Sequence, residues 1–346
     1  MNMATTLDER ETTTGPEDDL LIDNDSRAST RDEFDTDSGF GDEDHSMYSQ
    51  SLRSSVYNYR YENGRTYHSY REGAYPLPND EEEQGRLDLL HHVCKMLLGG
   101  ELFTAPIPSD PHRILDVGTG TGIWAIDVAD QFPSAQVFGT DLSPIQPLWV
   151  PPNLKFYVDD AEAEWTWPEN EKFDFIHGRA LCGGIGDWPR FYAQALHNLR
   201  PGGWLEMQEH SVGFFSDDGG LERATACIAA VAELERASER IGKPVNVAHL
   251  HKQWMINAGF QDVQEIVKKV PIGSWAKDPK LKEIGGLYRV QMLQSVPSFM
   301  LAYYKRILNH SDDDTETAMA EVKEEFADRS LHLYQQWYFV RGRRPM

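Results

Sequence analysis

Eleven residues constrain this chain more than any others. In Ile114-Leu115-Asp116-Val117-Gly118-Thr119-Gly120-Thr121-Gly122-Ile123-Trp124 an apolar strand runs into three alternating glycines and then into a helix. Glycine tolerates positive φ and lets a ligand approach the backbone, and the first turn of a helix offers unpaired N–H groups. The turn is therefore built to receive a polar ligand. A dinucleotide fingerprint places two residues between its last two glycines; only Thr121 stands between Gly120 and Gly122 here. Asp116, two residues before the first glycine, would repel a pyrophosphate and attract the cationic amino group of an amino-acid-like ligand.

Further acids follow at the ends of the next strands. Asp141, in Val137-Phe138-Gly139-Thr140-Asp141-Leu142-Ser143, stands about 20 residues beyond the loop, where a carboxylate accepts both hydrogens of a ribose diol or caps the next helix. In Asp159-Asp160-Ala161-Glu162, Asp160 is placed to accept from an adenine amino group, and the small Ala161 leaves room for the ring; a solvated acidic turn is the other reading of either aspartate. The candidate binding set is Asp116, Gly118, Gly120, Gly122, Asp141, Leu142, Asp160 and Ala161. An amine, a ribose and a base met in turn describe an adenosyl amino acid.

Strand and helix patterns alternate around these motifs. Strands are expected at 113–117, 136–140, 154–158, 173–177 and 204–209, with helices at 122–131 and 188–199, the spacing of βαβ units in a parallel sheet. A helix from Asp80 or Glu81 to Leu98, with Asn79 able to cap it, precedes them. Later segments read as helices at 221–241, 249–258 and 316–327, a helix at 284–308 broken at Pro297, and strands at 260–270 and 331–341. The expected domains are a disordered acidic tail over 1–55, a helical cap over 56–110 and an α/β domain over 111–346 with helical insertions between its late strands.

Charge narrows the partners. The chain of 346 residues carries a net charge of −23. Residues 1–55 hold 15 Asp and Glu against 4 Arg and no Lys, too polar a stretch to offset the entropy of ordering. The remainder is acidic and lacks a basic stripe, which disfavours direct nucleic-acid binding. No apolar run approaches the roughly 18 residues of a membrane span, and no apolar run of signal-peptide length opens the chain. Three scattered cysteines, Cys94, Cys182 and Cys227, make neither a disulfide framework nor a Cys-type zinc site; no metal is expected, and an intracellular setting, cytoplasm or nucleus, is.

The loop and its acids resemble class I S-adenosylmethionine-dependent methyltransferases. Phe173-Asp174-Phe175-Ile176-His177 resembles their fourth-strand motif, and Leu199-Arg200-Pro201-Gly202-Gly203-Trp204 the turn before the fifth strand. More narrowly, Glu62-Asn63-Gly64-Arg65-Thr66-Tyr67-His68, Leu77-Pro78-Asn79-Asp80-Glu81, Glu83-Gln84-Gly85-Arg86-Leu87-Asp88, Gly122-Ile123-Trp124-Ala125-Ile126, Ser143-Pro144-Ile145-Gln146-Pro147 and Gly342-Arg343-Arg344-Pro345 resemble the fungal LaeA-type family. The resemblance runs from about Tyr57 onward. It implies a Rossmann-like α/β fold, a mostly parallel seven-stranded sheet flanked by helices, with S-adenosyl-L-methionine as cofactor. It also implies one of two roles in secondary metabolism: methylating a metabolite, or regulating gene clusters from the nucleus with velvet-type partners.

Methyl transfer from a sulfonium needs chiefly alignment, and a base only where the acceptor must lose a proton. His177, Arg179, Glu209 and His210, at the ends of the fourth and fifth strands, are the candidates, with His177 and His210 preferred. The aromatic segment with Tyr67, His68 and Tyr70 is either a lid over the cofactor or plain packing; Trp165 and Trp167 read as core.

Overall fold

The computed structural model describes residues 59–346, so the acidic tail expected over 1–55 lies outside the described residues. The first element is a hairpin of β1 (Arg60–Glu62) and β2 (Arg65–Tyr67). Asn63 and Gly64 join the strands with φ of 51° and 77°, the two-residue turn in which both central residues are left-handed. Helix α1 (Glu81–Leu97) follows, capped by Asp80 rather than by Asn79: Glu83 N donates to Asp80 Oδ1 at 3.1 Å. Asn79 is drawn elsewhere, because its amide donates to Ser143 Oγ at 3.2 Å and its oxygen accepts from Thr66 Oγ1 at 2.9 Å. Asp80 also receives Arg65 through Nε at 2.5 Å and Nη2 at 2.7 Å, tying the hairpin to the helix start.

The main sheet contains β3 (Arg113–Val117), β4 (Gln136–Asp141), β5 (Leu154–Val158), β6 (Phe173–Arg179), β7 (Leu199–His210), β8 (Gln261–Pro271) and β9 (Tyr334–Arg343), in the spatial order β5-β4-β3-β6-β7-β9-β8. The first five are parallel; β9 runs antiparallel to both neighbours, β7 and β8. This is the mostly parallel, seven-stranded Rossmann-like architecture anticipated above. All five β3 residues are buried, and pleating sends Ile114 to one face and Leu115 and Val117 to the other. Ile114 packs with Trp124 and Val128 of α2 (Ile123–Gln131), whereas Leu115 and Val117 join Phe191 and Ala195 of α3 (Trp188–Asn198).

The later helices are α4 (Gly220–Arg223), α5 (Thr225–Arg240), α6 (His251–Ala258), α7 (Pro279–Met300) and α8 (Asp312–Ala327). The strands expected at 204–209 and 331–341 instead span Leu199–His210 and Tyr334–Arg343, the helix expected at 221–241 divides at Ala224, and two helices start earlier than expected because capping signals precede their apolar stripes. Asp278 caps α7, with Pro279 in its first turn, and Ser311 caps α8 ahead of three aspartates that favour the positive end of the dipole. Nor does Pro297 break α7. Its carbonyl still accepts from Leu301 N, and Ser298 Oγ donates to Glu83 Oε2 at 2.6 Å, so packing against α1 holds the turn. The chain then widens into a π-turn over Leu301–Ile307.

The basic tip at 341–344 is structural. Arg341 donates to Gln264 Oε1 at 2.6 Å, Arg343 pairs with Asp262 at 2.6 Å, and Arg344 donates to the carbonyl of His197 at 2.9 Å. Among the described residues no helix is long and apolar enough to cross a membrane.

Candidate functional site

A cavity opens at the carboxyl ends of β3, β4 and β5, where open α/β sheets present their ligands. The loop glycines have φ of 65°, 58° and 82° at Gly118, Gly120 and Gly122, all in the region that disfavours side chains. A Cβ at Gly118 would fall 2.4 Å from Leu181 Cδ2, and one at Gly122 2.4 Å from Phe156 Cζ; at Gly120 the nearest atom, Leu87 Cδ1, is 3.4 Å away. Gly118 and Gly120 line the cavity, while Gly122 opens α2 from behind it.

Asp116, 3% exposed, is already engaged: Oδ2 accepts from Thr119 Oγ1 at 2.6 Å and Oδ1 faces His177 Nδ1 at 2.7 Å. The partners meet because β3 and β6 pair in parallel with Asp116 opposite His177. The imidazole of His177 lies 3.7 Å from the Trp124 ring, only 5° from parallel. Its Nε2 is buried and has no hydrogen-bond partner among the described residues. Asp116, His177 and Trp124 all line the cavity.

Asp141 binds the loop as well as facing the cavity. Its Oδ2 accepts from Gly120 N at 2.8 Å and its Oδ1 from Ser143 N at 2.9 Å; burial pushes its carboxyl above the ordinary range although these backbone bonds pull the other way. Gln146 completes the turn by donating to the carbonyl of Gly120 at 2.7 Å. Asp160 accepts from Glu162 N at 2.9 Å and lies 3.8 Å from Arg71. Leu142, Asp159, Asp160 and Ala161 belong to the same wall. Of the eight candidate binding residues, the structure brings seven to the cavity lining and leaves Gly122 out of it.

The candidate bases are treated differently. His177 and Arg179 reach the cavity, Arg179 donating through Nη2 to His91 Nδ1 at 3.1 Å. His210 and Glu209 do not line it. His210 turns toward β9, its ring 5.3 Å from that of Trp337 and its Nδ1 3.0 Å from the carbonyl of Ser211; burial lowers it to about 4. Glu209 accepts from Cys182 N at 3.0 Å, and burial raises its carboxyl to about 7.

The wall opposite the strands was not legible as such. It is formed by Tyr75, Leu77, Pro78 and Asn79 with Glu83, Leu87 and Leu90 of α1, not by Tyr67, His68 or Tyr70. Tyr67 is buried beneath Arg306, whose guanidinium carbon lies 4.4 Å from the ring centre. Trp165 packs on Phe191 and Trp167 on Phe138 and Phe173, as core residues do.

Residues 90–265 match the family model of a methyltransferase domain. Methyltransferase pytC of Aspergillus terreus is 40% identical over 296 residues, covering 85% of this chain and 91% of that protein. Secondary metabolism regulator LAE1 of Cochliobolus heterostrophus is 38% identical over 306 residues, covering 86% and 99%. Secondary metabolism regulator laeA of Aspergillus niger is 36% identical over 292 residues, covering 82% and 76%.

Proposed function

We propose that this chain, which belongs to the methyltransferase domain family, transfers a methyl group from S-adenosyl-L-methionine to a small-molecule intermediate of fungal secondary metabolism. The observation that carries this reading is the left-handed glycine loop, whose Gly118 and Gly120 line one cavity together with carboxylates at the ends of β4 and β5. The residues fit the cofactor: bare backbone at Gly118 and Gly120 for close approach, Asp141 for a diol, Asp160 beside Ala161 for an amino-substituted base, and an apolar neighbour in Leu142. When bound, the sulfonium supplies an already activated methyl carbon.

The protein's part is alignment and proton handling. Asp116 holds the Nδ1 side of His177, a residue of the cavity lining, and among the described residues its Nε2 has no hydrogen-bond partner. His177 is therefore the residue we assign to accept a proton from an acceptor hydroxyl, thiol or amine, with Asp116 as the group that orients it. Trp124 fixes the plane of the ring. The apolar wall of Leu87, Leu90, Leu181 and Ile185 keeps water from the acceptor.

The names of the LAE1 and laeA relatives favour a second reading, a regulator of secondary metabolism; action from the nucleus through velvet-type partners is what the family resemblance would add to it. Binding measurements test the cofactor assignment. Calorimetry should register S-adenosyl-L-methionine and its demethylated product with the natural chain and neither with Asp141→Ala; unchanged affinity in the variant removes the Asp141 assignment, and a response to a nicotinamide dinucleotide alone removes the whole reading. Metabolite profiles of a deletion strain separate the two roles: loss of one methyl group supports the small-molecule acceptor, and collapse of many pathways supports the regulator.

A further inference from the structure

At the carboxyl end of β7 and just past that of β6, Cys182, Glu209 and His210 come together with a sulfur, a carboxylate oxygen and an imidazole nitrogen all within 4.8 Å of one another. We propose that these three residues form a binding site for a thiophilic divalent cation of the zinc type. Thiolate, imidazole and carboxylate are the donors zinc takes, and three protein ligands leave a fourth position for water or another small donor. Scattered cysteines exclude a cysteine-rich zinc site; they do not exclude a mixed one assembled by adjacent strand ends.

The surroundings are arranged as for ligands. His210 Nδ1 lies 3.0 Å from the carbonyl of Ser211, so donating its N–H there leaves Nε2 as the bare nitrogen. Holding one ring nitrogen on a backbone carbonyl is how metal-ligating imidazoles are oriented. Glu209 is aimed by the backbones of both other ligands, accepting from Cys182 N at 3.0 Å and from His210 N at 3.2 Å. Cys182 lies between Leu181 and Gly184, two residues of the cavity wall, so the cluster borders the cavity. Binding of the ion does not depend on the methyl-transfer reading.

Co2+ replaces zinc in such sites and reports a bound thiolate by charge-transfer absorption in the near ultraviolet. The full chain, stripped with a chelator, is titrated with Co2+ and then Zn2+. One equivalent of Co2+ should raise the band and Zn2+ should displace it. Cys182→Ser should abolish the band, whereas Cys94→Ser and Cys227→Ser should leave it intact. Glu209→Gln and His210→Gln should weaken Co2+ binding by more than the roughly 10-fold to 100-fold typical of losing a group that only supports a ligand. Absence of a stoichiometric band in the folded natural chain, or its persistence in Cys182→Ser, overturns the proposal. Should Cys182→Ser fail to fold, His210→Gln at a half-buried position carries the test, and unchanged Co2+ affinity there overturns it.

Discussion

Two loop glycines of the same backbone class should respond very differently to a single methyl group. Gly120 and Gly122 both lie in the left-handed region, at φ of 58° and 82°, so alanine at either costs about 1–2 kcal/mol in backbone strain. Their surroundings differ. At Gly120 the new carbon meets only the flexible end of Leu87 at 3.4 Å, but at Gly122 it meets three atoms of the Phe156 ring at 2.4, 2.9 and 3.2 Å. The ring is seated against a second bare backbone, at Gly139, where a Cβ would stand 2.6 Å from its Cδ1 and Cε1. Overpacking of this kind adds about 1–3 kcal/mol. Gly120→Ala should therefore lose about 1–2 kcal/mol of stability and Gly122→Ala about 2–5 kcal/mol, read from urea denaturation of the two variants beside the natural chain. Shrinking the ring with Phe156→Leu should recover part of the Gly122→Ala loss and none of the Gly120→Ala loss. If Gly122→Ala is no worse than Gly120→Ala, or if Phe156→Leu gives no recovery, the packing argument is wrong. Gly120→Ala should instead weaken ligand binding, because Gly120 lines the cavity and Gly122 does not.

Other expectations are independent of the loop. Burial lowers His251 from 6.5 to about 3, so the folded state keeps it neutral, and the stability this contributes is whole above pH 6.5 and is lost as pH falls toward 3. At pH 4.5 the loss should reach roughly 2–3 kcal/mol, and the pH dependence of the urea midpoint should flatten in His251→Gln; an unchanged slope would contradict the assignment. Asp80→Asn keeps a good helix cap but strands Arg65, whose side chain is 7% exposed, and should cost about 2–4 kcal/mol, with partial recovery in the double variant Arg65→Met/Asp80→Asn. Leu148 and Trp149 are 97% and 94% exposed, so replacing both with serine should change stability by no more than about 0.5 kcal/mol; a larger loss in thermal denaturation would show that they are packed.

Legibility in the sequence followed the range of the interactions. The bounds of β3 and β5 coincide with the expected strands because short apolar runs between turn residues are local signals. Asn63-Gly64 is the strongest local hairpin signal there is, and it lay in plain sight between runs only three residues long. Helix starts were misplaced where a capping residue precedes the apolar stripe, as Asp278 and Ser311 do. Pro297 misled because a breaker acts locally, while the contact of Ser298 with Glu83 spans 215 residues of sequence. The candidate site divides the same way. Glycines and acids at strand ends are visible in one dimension, but nothing local tells that Asp116 is shared between Thr119 and His177, or that His210 faces β9. The arginines at 341–344 carry no local sign that they are spent on Gln264, Asp262 and His197.

The place of β9 in the sheet carries a consequence for how the molecule is made. β8 precedes it by more than sixty residues yet touches the sheet only through it, since β9 lies between β7 and β8. During synthesis the five parallel strands and their glycine loop can assemble while β8 waits, its backbone unpaired, for Tyr334–Arg343 to emerge from the ribosome. A stop codon or protease cut just before Tyr334 would thus remove all ten residues of β9 with those after it and orphan the eleven of β8, baring the edge of β7 that β9 covers in the finished sheet.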